Sequence, residues 1–291
     1  MSQTMVSAPS KTTMIVGDRS LDVATLEVIK LESLVANDSV EVTKLLKAAE
    51  SQGFFYVTCN NDLSEKISGY LRTGYLNSHE YFAKSLDEKM KAFREDVNDG
   101  YKRAGIESFE VGVSIIFQYT VANHSQITRD EQNRTTLPSP FAEHAEATLD
   151  LVNICDTIVR TLLRSLSDSL GLDGSASLEN AHRPDGQSDS GLKFVSGPTK
   201  ASIADVPDTT HTDGGSITLL WCEKWASQMQ TKETKEWLWI DPKPGCILVN
   251  VADYLQRQTG GRLHSPVHRV SQPSDGVQDR YFVSYFLRPN H

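Results

Sequence analysis

Thr210-His211-Thr212-Asp213-Gly214-Gly215-Ser216 is the stretch on which the reading of this chain turns, taken together with Ser265-Pro266-Val267-His268-Arg269-Val270 further on. Side chains on an extended backbone alternate with a period of two, so His211 and Asp213 face the same way. One short segment thus aims an imidazole and a carboxylate at one point. A third ligand must come from elsewhere, and His268, which leads into a β-branched, strand-like run, is the natural candidate. Two imidazoles and one carboxylate on one face of a metal ion leave the opposite positions open. His-x-Asp taken singly is a weak signal, and in most chains it marks a surface pair or a satisfied core histidine.

The surroundings strengthen it. After Asp213 come Ser216-Ile217-Thr218-Leu219-Leu220-Trp221, Trp239-Ile240-Asp241-Pro242-Lys243-Pro244-Gly245 and Ile247-Leu248-Val249-Asn250-Val251-Ala252-Asp253-Tyr254-Leu255. Thr259-Gly260-Gly261-Arg262, the His268 run and Arg280-Tyr281-Phe282-Val283-Ser284-Tyr285-Phe286 follow. This order of segments resembles the isopenicillin-N-synthase-like family of Fe(II)/2-oxoglutarate oxygenases. The resemblance is strongest from about residue 205 to 288. Upstream it extends to the run ending Ser51-Gln52-Gly53-Phe54-Phe55-Tyr56-Val57, and to Gly100-Tyr101-Lys102 and Ser108-Phe109-Glu110.

The resemblance implies a double-stranded β-helix, or jelly-roll, with the metal between its two sheets. It implies Fe(II) on His211, Asp213 and His268, with 2-oxoglutarate and O2 as co-substrates. A guanidinium suits a carboxylate in a bidentate fork, and Arg280 looks like the family arginine that binds the distal carboxylate of 2-oxoglutarate. The family pattern is Arg-x-Ser, but residue 282 is Phe; Ser284, on the same strand face one pleat further along, is the candidate substitute. The tyrosine-containing run that the family places before His-x-Asp is replaced by Leu192-Lys193-Phe194-Val195-Ser196-Gly197-Pro198. Losing a hydroxyl that bonds a charged group costs about 1 to 3 kcal/mol, so these departures bear on co-substrate binding. Val270 and Phe282 are candidates to wall the substrate pocket with apolar surface.

Composition sets outer limits. The net charge of −9 and the pI near 5.4 argue against nucleic acid or an anionic membrane as partner and favour a small molecule. Four scattered cysteines, Cys59, Cys155, Cys222 and Cys246, suggest reduced thiols in a cytoplasmic protein and neither a zinc knot nor a disulfide framework. No stretch approaches the roughly 18 apolar residues of a membrane span.

Residues 1–20 read as a disordered tail, and 21–291 as a single oxygenase domain. Its helical and strand part runs to about 190, and its β-core with the metal site from about 191. Short apolar runs between Leu21 and Leu34 suggest an early strand. Asp38 is a candidate N-cap for a helix closed by Gly53. Phe54 to Thr58 reads as a buried strand, and Asp62 to Lys91 as helical, with a further start near Leu86. Residues 97–137 lack a sustained period and read as loops over the pocket mouth. Pro138 to Gly171 carries the clearest helical stripe (Leu149, Val152, Ile158, Leu162, Leu166, Leu170) and is expected to back a sheet. Gly174 to Gly191 reads as a mobile polar linker. Short strands separated by turn signals follow, which makes an α+β chain.

The leading functional reading is an Fe(II)/2-oxoglutarate oxygenase that hydroxylates, desaturates or cyclises a small organic molecule, in secondary metabolism by the family's commonest use. Three alternatives stand beside it. One is an oxidase of the same fold that draws its electrons from substrate alone, one a non-catalytic metabolite-binding homologue, and one a zinc hydrolase. Neither the substrate nor the oligomeric state is legible in the sequence.

Overall fold

The computed structural model describes residues 11–96, 98–103, 106–113, 116, 137–183, 186–199 and 208–291. Its strands form two mixed sheets, and the alternation of side chains along the larger one decides what the rest of the chain can do. That sheet has eight strands: β3 (Val28–Lys30), β4 (Phe54–Thr58), β5 (Gly100–Lys102), β6 (Ser108–Gly112), β7 (Gly191–Ser196), β8 (Ile217–Cys222), β11 (Cys246–Val251) and β13 (Tyr281–Leu287). Their spatial order is β3-β4-β11-β8-β13-β7-β6-β5, antiparallel except where β3 meets β4. The five-stranded sheet is ordered β1-β2-β10-β9-β12, from Lys11–Val16, Arg19–Ala24, Trp237–Trp239, Ser227–Gln230 and His268–Val270.

The larger sheet is covered on both faces, which explains why its strands read as nearly continuous apolar runs. One face carries Phe55, Val57, Leu192, Phe194, Leu219, Val249, Val283 and Tyr285, buried against helices. The other carries Phe54, Tyr56 and Leu248, which meet Met229, Leu238 and Ile240 of the smaller sheet and its flank. A one-residue slip in any of these strands would exchange the two faces.

The helices follow local rules. α1 spans Leu31–Val35. α2 (Ser39–Ser51) starts at Asp38, whose carboxylate accepts from the amides of Val40 and Glu41 at 2.8 and 3.3 Å. Gly53, just past its end, has φ +71°, and a Cβ there would lie 2.0 Å from the carbonyl oxygen of His264. No other residue fits that approach. α3 (Asn61–Phe82) is capped by Asn60, and α4 (Leu86–Met90) follows. α5 (Ala145–Leu170) buries Val152, Ile158, Leu162 and Leu166 and packs on α1, α2, α3 and β13. α6 spans Asp253–Gln258. The helix expected from Pro138 begins at Ala145, after a run of turns.

Two expectations meet a different arrangement. Residues 1–10 lie outside the described residues, but residues 11–20 are not a tail: β1 and β2 form a hairpin, turned at Gly17, on the edge of the smaller sheet. β1 is exposed along nearly its whole length, so backbone pairing and not burial holds it. The stretch from Gly174 is also tied down. His182 is buried, and Arg160 of α5 donates to its carbonyl at 2.6 Å. The strands before residue 190 join the same two sheets as those after it. Most of the expected loop region 97–137 lies outside the described residues, apart from β5 and β6. The four cysteines are free, and no described helix is long and apolar enough to cross a membrane.

Candidate metal centre

His211 and His268 pair across an antiparallel bridge, each amide donating to the other's carbonyl, at 3.0 and 2.9 Å. Paired residues on adjacent strands present side chains to the same side. Each imidazole is oriented by its own backbone: Nδ1 of His211 donates to the carbonyl of Thr209 at 2.5 Å, and Nδ1 of His268 to that of Pro266 at 3.1 Å. With the proton on Nδ1, the lone pair sits on Nε2 in both rings. Phe54 meets His268 edge-on at 5.5 Å and fixes its plane.

Asp213 supplies the third donor. Its Oδ2 accepts from the Thr218 hydroxyl at 2.6 Å and from Nδ2 of Asn250 at 2.9 Å. Its Oδ1 is 3.6 Å from Nε2 of His211 and 3.7 Å from Nε2 of His268, too long for hydrogen bonds. The backbone around it is tightly approached. A Cβ at Gly215 would lie 2.6 Å from the Leu287 carbonyl, and the Asp253 amide donates to the Asp213 carbonyl at 2.8 Å.

The three donors lie within 4.8 Å of one another, and among the described residues this is the one cluster of three or more such groups. Two neutral imidazoles and a carboxylate fit a divalent first-row metal with open positions, the donor set of non-haem Fe(II) oxygenases. Burial alone would push the Asp213 carboxyl up. His268, the hydrogen bonds from Thr218 and Asn250, and His211 outweigh it and hold the carboxyl below its usual range. Burial lowers His268, partly offset by Asp213. Both directions keep the donors in their metal-binding protonation states.

The cluster opens into a cavity of about 450 Å³ between the sheets. Val270, Phe282 and Ser284 line it, as do Lys193, Ser108 and Asn250. Phe282 packs with Val195, Ala226 and Val270 into an apolar plug. A larger cavity, of about 680 Å³, lies under α3 beside Trp221 and Cys222, away from the cluster.

Arg280 is not on the cavity wall. Its side chain is fully buried, and its guanidinium is spent on Asp275 at 2.7 Å and on the carbonyls of Pro198 and Trp225. The reading that gave Arg280 to a co-substrate carboxylate therefore meets a guanidinium already engaged. Sequence reasoning missed Asn250, Thr218, Phe54 and Lys193. The available signal for Asn250 and Lys193 was a polar residue on the inward period of an otherwise apolar strand.

Residues 197–289 match the 2OG-Fe(II) oxygenase superfamily, and residues 26–140 match the N-terminal region described as non-haem dioxygenase in morphine synthesis. A 2-oxoglutarate-dependent dioxygenase of Gibberella zeae is 31% identical over 278 residues, covering 93% of this chain and 81% of that protein. Another, from a Dothideomycetidae species, is 35% identical over 280 residues, covering 92% and 83%. The crystal structure of a full-length Neurospora crassa protein in complex with alpha-KG superposes with a TM-score of 0.69 at 20% identity, covering 92% of this chain and 86% of that one. The likeness to that structure concerns the fold. The site and the fold together define an Fe(II)/2-oxoglutarate-dependent dioxygenase acting on a small molecule. The chain belongs to the 2OG-Fe(II) oxygenase superfamily.

Proposed function

We propose that the chain oxidises a small organic molecule at an iron held by Nε2 of His211, Oδ1 of Asp213 and Nε2 of His268, with hydroxylation, desaturation or ring formation as the outcome. The observation that carries this reading is the convergence of three donors that make no hydrogen bond to one another at the head of a cavity between two sheets. Bound ferrous iron, with 2-oxoglutarate and dioxygen, supplies an oxidant strong enough to take hydrogen from a C–H bond. The chain's own residues do the rest. The carbonyls of Thr209 and Pro266 fix the imidazole tautomers, Thr218 and Asn250 turn Oδ1 of Asp213 toward the iron, and Phe282 and Val270 keep water from the inner wall.

In this reading the two sheets form a double-stranded β-helix within one oxygenase domain, and α5 is its backing helix. The protein is cytoplasmic and serves secondary metabolism; the similarity to a family region described from morphine synthesis supports that setting. The test is turnover: full chain, Fe(II), 2-oxoglutarate and oxygen with a panel of small organic molecules, monitored for succinate. The reading expects iron-dependent succinate that Asp213→Ala abolishes. Substrate oxidation without succinate would put a 2-oxoglutarate-independent oxidase in its place.

A further inference from the structure

We propose that the cavity between α3 and the helix-covered face of the larger sheet is a second binding site, for an organic acid with an apolar ring body. The site lies apart from the metal centre, and its occupancy does not depend on the chemistry proposed there.

The first observation is which face of the sheet the cavity uses. Trp221 of β8, Ile247 of β11 and Tyr281 of β13 line it, whereas their chain neighbours Leu220, Leu248 and Phe282 line the cavity of the metal cluster. Successive strand residues point to opposite faces, so the sheet itself separates the two cavities. At about 680 Å³ the second falls within the range of about 300–1,000 Å³ usual for small-ligand sites. Ile67 and Leu71 of α3 join Trp221 and Ile247 in an apolar inner wall. Three of the chain's four cysteines, Cys59, Cys222 and Cys246, also line it. Burial pushes the thiols of Cys59 and Cys222 up to about 11 and raises that of Cys246. All three therefore stay protonated and act as small apolar groups that repel no anion.

The second observation is the charge at the mouth. Exposed Arg72, Lys224 and Lys243 line the cavity together with a single acid, Glu223. Among the described residues none of these cations has an ion-pair partner or a side-chain hydrogen bond; Lys243 lies over the Tyr56 ring, 5.5 Å from its centre. Three unneutralised cations against one acid reverse, locally, the sign of a chain whose net charge is −9, so the mouth attracts anions. Tyr75 of α3 lines the same cavity, and its hydroxyl has no hydrogen-bond partner among the described residues. Burial, with Cys222 and Glu223 nearby, raises that phenol and keeps it a donor. An apolar interior, a free phenol and a cationic mouth suit a ligand with an apolar body and one terminal carboxylate.

The experiment is anaerobic calorimetry on the full chain loaded with Co(II), with and without saturating 2-oxoglutarate, titrated with 2-naphthoate and with its uncharged analogue 2-naphthalenemethanol. One naphthoate per chain is expected to bind under both conditions, about tenfold more tightly than the alcohol. Arg72→Met combined with Lys224→Met should erase that preference and leave the alcohol unchanged, since an exposed charge pair contributes up to about fivefold. Ser68→Trp, which sets an indole at the mouth from an exposed position on α3, should abolish binding of both probes while the melting temperature and Co(II) affinity stay as in the wild type. Absence of naphthoate binding, equal affinity for acid and alcohol, or binding that survives Ser68→Trp would overturn the proposal. So would binding that 2-oxoglutarate displaces, which would put the probe in the cavity of the metal cluster.

Discussion

Asn250 donates through Nδ2 to Oδ2 of Asp213 at 2.9 Å, on the same oxygen that receives the Thr218 hydroxyl. Both donors therefore act on one side of the carboxylate and leave Oδ1 toward the two imidazoles. Groups that orient a metal ligand from behind contribute about 10- to 100-fold in metal affinity. Asn250→Leu keeps the side chain's bulk and removes the donor, so Fe(II) affinity should drop by about that factor with the fold intact. Anaerobic metal titration, with circular dichroism as the fold control, reads the effect; equal affinity in variant and wild type would mean that Thr218 alone suffices.

Arg280, its side chain fully buried, forms an ion pair with the partly buried Asp275. Removing one partner of such a pair leaves the other charged and unsatisfied, at a cost of about 3–5 kcal/mol. Arg280→Met should lower the unfolding free energy by about that amount in denaturant titration. A loss below about 1 kcal/mol, the range of a surface pair, would show that the pair is solvated and not structural.

His264 lies where the chain returns from α6 toward His268, its amide bonded to the carbonyl of Ala49. Burial, with Lys232 and Lys235 nearby, lowers its imidazole from 6.5 to about 4. Between those values the unfolded chain binds a proton that the folded chain does not, so stability is whole above pH 6.5 and falls as the pH drops toward 4. The melting temperature of the wild type should therefore fall over this window more steeply than that of His264→Gln. Parallel curves for the two proteins would assign the acid sensitivity to other groups.

What was legible in the sequence depended on short periods and on burial. His211 and Asp213 could be matched because two residues of extended chain suffice to align them, and His268 because its strand context was local. β4, α2, α3 and α5 announced themselves through apolar periodicity and caps. β1 did not, because an exposed edge strand such as Lys11–Val16 has no apolar face to show. The segment from Gly174 looked like a linker because its order comes from partners far away: Nε2 of His182 accepts from the Ser216 hydroxyl at 2.7 Å, and the His182 carbonyl accepts from Arg160 at 2.6 Å. The surroundings of Arg280 were hidden for the same reason. Its identity was plain, but its engagement with Trp225 and Pro198 is set by contacts across 55 and 82 residues.

The most direct measurement is equilibrium binding of Fe(II), without oxygen, to the full chain and to Asp213→Ala. The account predicts one ion per chain in the wild type and its loss in the variant, because two imidazoles without the carboxylate cannot complete the facial donor set. Equal iron affinity in the two proteins would contradict it, and would remove His211, Asp213 and His268 from the chemistry of this chain.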